Sequence, residues 1–529
     1  MRLFQVALII LALALVAWMV PKPVFAETAP PQVGRADAPP NIVFFLVDDL
    51  GWTDVGCFGS SFYETPNIDR LAKEGVRFTH AYAACHVCSP TRASIMTGKY
   101  PARLGLTDWL PGRRDYDFQV LKSAEKASHL ALEETTLAEA LKAHGYTTGH
   151  FGKWHLGEEP NGPIAQGFVA QVPRWNKGWP ASGYLVPFKL EGIAEQPGQY
   201  LTDRLTDEAL KFVEKNKDRP FFLYLSHFAV HDPIQGRPDL VEKYRKKLAT
   251  TTRPKASAFI LEGNPDDKQP LSRKQFDLLI NERAYEPYKV LPQRTVKIKQ
   301  HQDNVEFAAM VESMDESLGR VKAKLEALGL TDNTIIVFYS DNGGMSGANF
   351  GNPARVIQPT LLDQAYSTSN LPLRGGKGWI YEGGIRVPMI VKWPAKGKEG
   401  AVCNEPVISP DFYPTLLEMA GLPAKPSQHV DGKSFAAAVK GEPFERGAVY
   451  WHFPHYSNHG MQSPSGAIRD SDYKLIEYFE NQTVQLFNLK DDPGEQNDLA
   501  NTNSKKAAEL RAKLESWRKD VSAKMPMPK

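Results

Sequence analysis

The chain has 529 residues, 42% hydrophobic and 23% charged, which is enough apolar sequence for a large core and excludes a disordered chain. Its 63 basic residues face 61 acidic ones, so no global field draws it to nucleic acid or an anionic membrane, and any anion recognition has to be local. Four cysteines, Cys57, Cys85, Cys88 and Cys403, are too few for a disulfide scaffold at this length.

Met1 and Arg2 precede an apolar run over 3–20, and small residues lead up to Glu27. Residues 1–26 therefore read as a cleavable signal peptide, with a retained membrane anchor as the alternative. Cleavage would remove Arg2 and Lys22, leaving 61 basic residues against 61 acidic ones. The expected protein is exported, periplasmic or secreted, with no stable membrane insertion afterwards.

Apolar runs that read as buried strands follow at 42–47, 147–151, 221–226, 334–339 and 388–392. Helical periods lie between them: 66–74 behind Thr65 as N-cap, 203–215, and 411–419. A stripe of Phe307, Met310, Val311, Met314, Leu318, Val321, Leu325 and Leu328 ends at Gly329. This alternation predicts an α/β fold, a large mostly parallel mixed sheet sandwiched by helices over residues 27–441. Residues 234–300 break the pattern with weak periodicity and read as an insertion, a lid or a rim. Beyond Gly441 short strands at 448–451, 467–469, 473–479 and 484–489, then a polar helix at 504–521, predict a small antiparallel sheet plus helix over 442–529.

Two sets of oxygen ligands sit at strand ends. Asp48 and Asp49 follow the first strand, and Asp341-Asn342-Gly343-Gly344 follows the fourth. Ligands in open α/β sheets gather at the carboxyl ends of strands, so these distant segments can converge. Three carboxylates and an amide oxygen suit a hard divalent cation; without one, like charges repel and one acid takes up a proton. Asp48-Asp49 alone reads equally well as a solvated turn or a cap.

In Cys88-Ser89-Pro90-Thr91-Arg92, Pro90 pushes Ser89 towards extended backbone, so Cys88 is expected in a loop ahead of a short helix over 91–96. The positive end of that helix suits an anionic ester, and Arg92 adds a planar charged fork for the nucleophile or a tetrahedral anion. From Cys85-His86-Val87-Cys88 alone, a redox or zinc half-site is the alternative, but no second ligand pair with zinc spacing exists.

This segment, continued by Ala93-Ser94-Ile95-Met96-Thr97-Gly98, resembles the activation signature of the type I, formylglycine-dependent sulfatases of the alkaline phosphatase superfamily. The resemblance implies that a maturing enzyme oxidises Cys88 to an aldehyde whose hydrate carries two hydroxyls on one carbon. It implies a calcium ion, or magnesium, on Asp48, Asp49, Asp341, Asn342 and residue 88. Phe151-Gly152-Lys153-Trp154-His155-Leu156-Gly157 matches a second motif, in which Lys153 and His155 flank the nucleophile. The segment from Phe222 to Pro233 resembles a third, with His231 aligned and His227 left as a core histidine. Segments around Gly375-Gly376-Lys377-Gly378 and Tyr381-Glu382-Gly383-Gly384 match a fourth, in which Lys377 grips the sulfate. A closing likeness at Leu486 to Pro493 extends the resemblance over about 41–499.

The mechanism it implies has one hydroxyl of residue 88 attacking sulfur, activated by the metal and Asp341. His231 with Lys377 protonates the leaving oxygen, and His155 then deprotonates the second hydroxyl so that sulfate leaves. Lys153, Lys377 and Arg92 offset the charge of the sulfate oxygens. The implied substrate is a sulfated carbohydrate or an aryl sulfate. Histidines and aromatics crowd residues 450–460, and His452 and His455 are the expected sugar contacts, with domain packing as the alternative. Two other functions stay open: a phosphonate or phosphate ester hydrolase using the same nucleophile, and a non-catalytic sulfated-glycan binding protein if Cys88 stays a thiol.

Overall fold

The computed structural model describes residues 39–529 except 118, 253, 254, 268, 280–294, 349–365, 460 and 461, so the expected signal peptide lies outside the described residues. An eight-stranded sheet runs in the spatial order Val402–Cys403, Val76–Phe78, Met389–Lys392, Thr334–Ser340, Asn41–Val47, Phe221–Ser226, Thr147–Gly152, Ala170–Val172. The five strands from Thr334–Ser340 to Ala170–Val172 pair in parallel, while Met389–Lys392 is antiparallel to both neighbours.

Every residue of Asn41–Val47 is buried, and its side chains alternate between two cores. Val43, Phe45 and Val47 face the long helix Val305–Ala327 and helix Leu201–Lys215. Ile42, Phe44 and Leu46 face Ala93, Ile95 and Met96 of helix Cys88–Thr97 and Phe412 and Leu416 of helix Phe412–Met419. Full burial of each such Val, Leu, Ile or Phe contributes about 1.5–3 kcal/mol, so a strand apolar on both faces belongs at the sheet centre.

The C-terminal strands Val449–Phe453, Ser465–Asp470, Tyr473–Tyr478 and Val484–Asn488 form an antiparallel sheet in chain order. Helix Ser504–Asp520 covers one face through Leu510 and Leu514, which meet Ile468, Leu475 and Leu486. Trp451, Ala467, Ile476 and Phe487 on the other face pack with Tyr82, Trp379 and Tyr381 of the main body. A buried ion cluster crosses the same junction: Lys474 Nζ lies 3.0 Å from Glu382 Oε1 and 2.8 Å from Glu495 Oε1.

Three local expectations change. The helix after the Cys88 loop starts at Cys88 itself, behind Val87 as N-cap, so Cys88 does not sit in a loop. Pro90 fits because the first amides of a helix have no intrahelical acceptor, which outweighs the extended preference of Ser89. Thr65 precedes helix Pro66–Glu74, but its hydroxyl accepts from Gly56 N at 2.8 Å instead of capping. The described part of residues 234–300 carries more regular structure than its composition implies. Helix Pro238–Thr250 buries Leu240, Val241 and Tyr244 in the same core as the long helix, and Phe259–Glu262 pairs with Val296–Lys299. Its charged face masks that short apolar stripe. Among the described residues no helix is long and apolar enough to cross a membrane.

Candidate active site

The parallel register pairs Val47 with Ser340, which brings the two acidic strand ends side by side. Asp341 N donates to Val47 O at 3.1 Å, and Asp49 N donates to Asp341 Oδ1 at 3.3 Å. Asp49 holds φ at 62°, a left-handed conformation that Asp tolerates better than most residues, and this turns its carboxylate back into the cluster. Asn342 Nδ2 donates to Asp49 Oδ1 at 2.8 Å, while Asn342 Oδ1 is buried with no hydrogen-bond partner among the described residues.

Three basic side chains face these acids. Lys153 Nζ lies 2.5 Å from Asp48 Oδ2 and Lys377 Nζ 2.7 Å from Asp49 Oδ2. Arg92 sets Nε and a terminal nitrogen each 2.8 Å from Asp341 Oδ2, and its other terminal nitrogen donates to Lys153 O and Ser226 Oγ. Arg92 pairs with the acidic cluster and is not among the residues lining the cavity, in keeping with the need of a buried carboxylate for a paired charge. Burial, with Asp341 alongside, pushes the Asp48 carboxyl up to about 6 against the pull of Lys153. Burial acts the same way on Asp49, but Lys377, His231 and Lys153 outweigh it and hold that carboxyl well below the usual range.

Cys88 completes the cluster, with Sγ 3.6 Å from Asp48 Oδ1. Burial pushes its thiol up to about 12 although Lys153 and Lys377 pull the other way, so the unmodified side chain is a poor nucleophile. Asp48, Asp49, Cys88 and His231 bring ligand atoms within 4.8 Å of one another. Carboxylate oxygens, the orphaned Asn342 Oδ1 and the position of residue 88 fit a hard divalent cation held by Asp48, Asp49, Asp341 and Asn342. They do not fit a zinc half-site: Cys85 lies outside that group.

A cavity of about 270 Å³ opens over Cys88, and His155, His231 and Lys377 line it. His155 Nε2 meets Leu110 O at 2.5 Å, while Nδ1 has no partner among the described residues. Burial, then Lys153, keeps this imidazole neutral. His231 Nδ1 meets Asp232 O at 2.7 Å, and Nε2 lies 3.7 Å from Asp49 Oδ2. Lys377 depends on its glycines: a Cβ on Gly376 would stand 2.5 Å from Gly344 O. His227 lies in the core, bonded to Ser317 Oγ at 2.9 Å and packed on Phe45.

The structure does not bring His452 and His455 to the cavity. His452 Nε2 meets Lys524 O at 2.9 Å and His455 Nε2 meets Thr107 Oγ1 at 2.8 Å, so both rings are spent on packing and backbone satisfaction. Phe453, Asn458 and His459 of the same stretch line the cavity instead, joined by Asp108, Trp109, Trp179 and Asp232. The crowding of residues 450–460 flagged the right stretch and not the right members. Asp108, Trp109 and Trp179 lie in aperiodic loops and left no signal.

A buried acidic cluster paired with lysines at the floor of a cavity suits the binding of an anionic ester. Residues 40–422 match the family model described as Sulfatase, and residues 376–522 match that described as N-sulphoglucosamine sulphohydrolase, C-terminal. The chain belongs to the sulfatase family, within the alkaline phosphatase superfamily, and is a sulfuric ester hydrolase. It is similar to a sulfatase of Formosa agariphila, 30% identical over 91% of this chain and 89% of that one. It is also similar to the N-acetylglucosamine-6-O-sulfatase of Bacteroides thetaiotaomicron, 27% identical over 95% of this chain and 90% of the relative. Among solved structures, Ps i-CgsB in complex with k-i-k-neocarrahexaose aligns with a TM-score of 0.66 and 27% identity, covering 90% of this chain and 92% of the other.

Proposed function

We propose that this protein hydrolyses a sulfate monoester on a carbohydrate, using formylglycine at position 88 and a divalent cation, calcium in the first instance, on Asp48, Asp49, Asp341 and Asn342. The observation that carries the reading is the placement of residue 88, with Sγ 3.6 Å from Asp48 Oδ1 beneath a cavity walled by Lys377 and three histidines. A carbohydrate fits the tryptophan walls and the names of two relatives, one acting on N-acetylglucosamine 6-O-sulfate and one crystallised with an oligosaccharide. Export by a signal peptide over residues 1–26 and oxidation of Cys88 by a maturing enzyme belong to the same reading.

When present, the cation draws charge from the sulfate oxygens and the oxidised residue supplies two hydroxyls on one carbon, one to attack sulfur and one to let the aldehyde re-form. The chain's own residues handle charge and protons. Lys377 presents its ammonium to the sulfate from the cavity wall while Asp49 fixes its position. His231 donates Nδ1–H to Asp232 O, so its part as the acid requires the doubly protonated ring, in which Nε2–H is the proton for the leaving oxygen. His155 donates Nε2–H to Leu110 O, which leaves the lone pair of Nδ1 free to take a proton from the second hydroxyl. Lys153 holds Asp48, and Arg92 holds Asp341.

Mass spectrometry of the peptide bearing residue 88, from enzyme assayed on sulfated monosaccharides, 4-nitrophenyl sulfate and a phosphonate ester, tests this. An aldehyde at residue 88 with preference for a sulfated sugar is expected. A thiol in fully active enzyme, or faster turnover of the phosphonate, would overturn it.

A further inference from the structure

His459 is buried, lines the cavity, and has no hydrogen-bond partner on either ring nitrogen among the described residues. Two unsatisfied nitrogens on one buried imidazole carry a desolvation cost that a ligand in the cavity would offset; His452 and His455 each have a ring nitrogen bonded, and His86, with both orphaned among the described residues, does not line the cavity. The backbone makes room for it: Gly378 has φ of 85°, and a Cβ there would stand 2.5 Å from His459 Cβ. The turn is braced from outside, since His459 N donates to Ser457 Oγ at 3.1 Å and Ser457 N donates to Gln462 O at 3.1 Å. Asn458, next in the wall, also buries an Oδ1 with no partner among the described residues.

The surroundings select the ligand chemistry. Lys377, Asp49, Asp232 and His231 are the charged neighbours of His459, and Lys377, Asp232 and His231 line the same cavity. Burial, then the Lys377 ammonium, keeps the imidazole neutral, with its basicity pushed down to about 3. A neutral imidazole offers one donor and one acceptor, the complement of a hydroxyl. A carboxylate or second sulfate would meet the Asp49 and Asp232 carboxylates, and Lys377, the cation among the described lining residues, is already paired with Asp49.

We propose that His459 reads an uncharged hydroxyl on the sugar being desulfated, close in the ring to the ester oxygen, with Asn458 Oδ1 accepting from that hydroxyl or an adjacent donor. The proposal rests on the carbohydrate reading above, and the two can fail separately.

The test uses matured wild-type enzyme on a panel of mono-sulfated hexoses and N-acetylhexosamines, then on single-deoxy analogues of the best substrate, with 4-nitrophenyl sulfate as the reference ester. One deoxy analogue is expected to lose about 10- to 100-fold in kcat/KM, the effect of leaving a buried polar partner unpaired. His459→Ala should lower the ratio of sugar to aryl kcat/KM by the same factor and add nothing further on that analogue, and His459→Gln should recover part of the ratio. Equal losses on sugar and aryl ester in His459→Ala, or deoxy analogues all turned over as fast as the parent, would overturn the proposal. The deoxy series needs no variant, so misfolding of His459→Ala leaves the test standing. Wild-type turnover of the aryl sulfate and of no sulfated sugar would sink the carbohydrate reading, and this proposal with it.

Discussion

Replacing Lys474 by methionine removes one charge from the ion cluster that joins the small sheet to the main body. Lys474 is fully buried, 3.0 Å from Glu382 and 2.8 Å from Glu495. Tyr82 OH donates to Glu382 Oε2 at 2.7 Å, and Glu382 N donates to Glu495 Oε2 at 2.6 Å. Without Lys474, Glu495 loses its cation while Glu382 keeps Arg386 at 3.8 Å. Breaking a buried pair by removing one partner costs about 3–5 kcal/mol, because the remaining charge stays desolvated. The loss should depend on pH. Burial pushes the Glu495 carboxyl up to about 7, with Lys474 opposing and Glu382 adding to the rise. A carboxyl raised in the folded state favours folding most below its unfolded value near 4.5 and loses that contribution as pH rises through 7. The variant therefore loses most at pH 8 and less at pH 5, where Glu495 takes up a proton. Thermal and urea unfolding at both pH values measure this, and adding Glu495→Gln to Lys474→Met should restore at least half of the loss at pH 8. A loss below about 1 kcal/mol at pH 8, or equal losses at both pH values, would refute the reasoning.

Gly376→Ala puts a Cβ 2.5 Å from Gly344 O, the carbonyl that accepts from Lys377 N, so kcat/KM should fall about 100-fold with little change in melting temperature. Calcium at about 100 times its Kd should stabilise the protein by about 2.7 kcal/mol, seen as a higher melting temperature that a chelator reverses and Asn342→Leu weakens. His452→Ala and His455→Ala should cost about 1–3 kcal/mol of stability each by unpairing Lys524 O and Thr107 Oγ1, while changing rates on sulfated sugar and nitrophenyl sulfate in parallel.

Strands at 42–47, 221–226 and 334–339 were legible because a central strand is apolar on both faces, and the first and third end beside acidic residues. That also exposed Asp48, Asp49, Asp341 and Asn342, where spacing to the strand end carries the chemistry. Lys153, His155, His231 and Lys377 lay inside dense local motifs, and the fold gathers all four around residue 88. Arg92 was expected to hold the nucleophile or a tetrahedral anion because a guanidinium fork suits anions of either kind, and one-dimensional pattern did not show that it also pairs with Asp341. The Tyr450–Gly460 stretch shows the other limit. The first four residues alternate faces on Val449–Phe453, whereas Ser457 to His459 turn beyond it, and the turn, not the composition, decides which histidine reaches the cavity. Asp108 and Trp179 depend wholly on loop path.

The contact between Asp49 N and Asp341 Oδ1 joins residues separated by 292 positions, and the lysines that neutralise the acids come from two further segments. Each of the two strand ends supplies only half of the four oxygen donors, Asp48 and Asp49 from one and Asp341 and Asn342 from the other. Closing so long a loop precedes any reward from its contacts, so ion capture belongs to the end of folding and cannot seed it. Bound metal would then report that the central strands have found their register, which makes ion occupancy a quality mark for the native molecule.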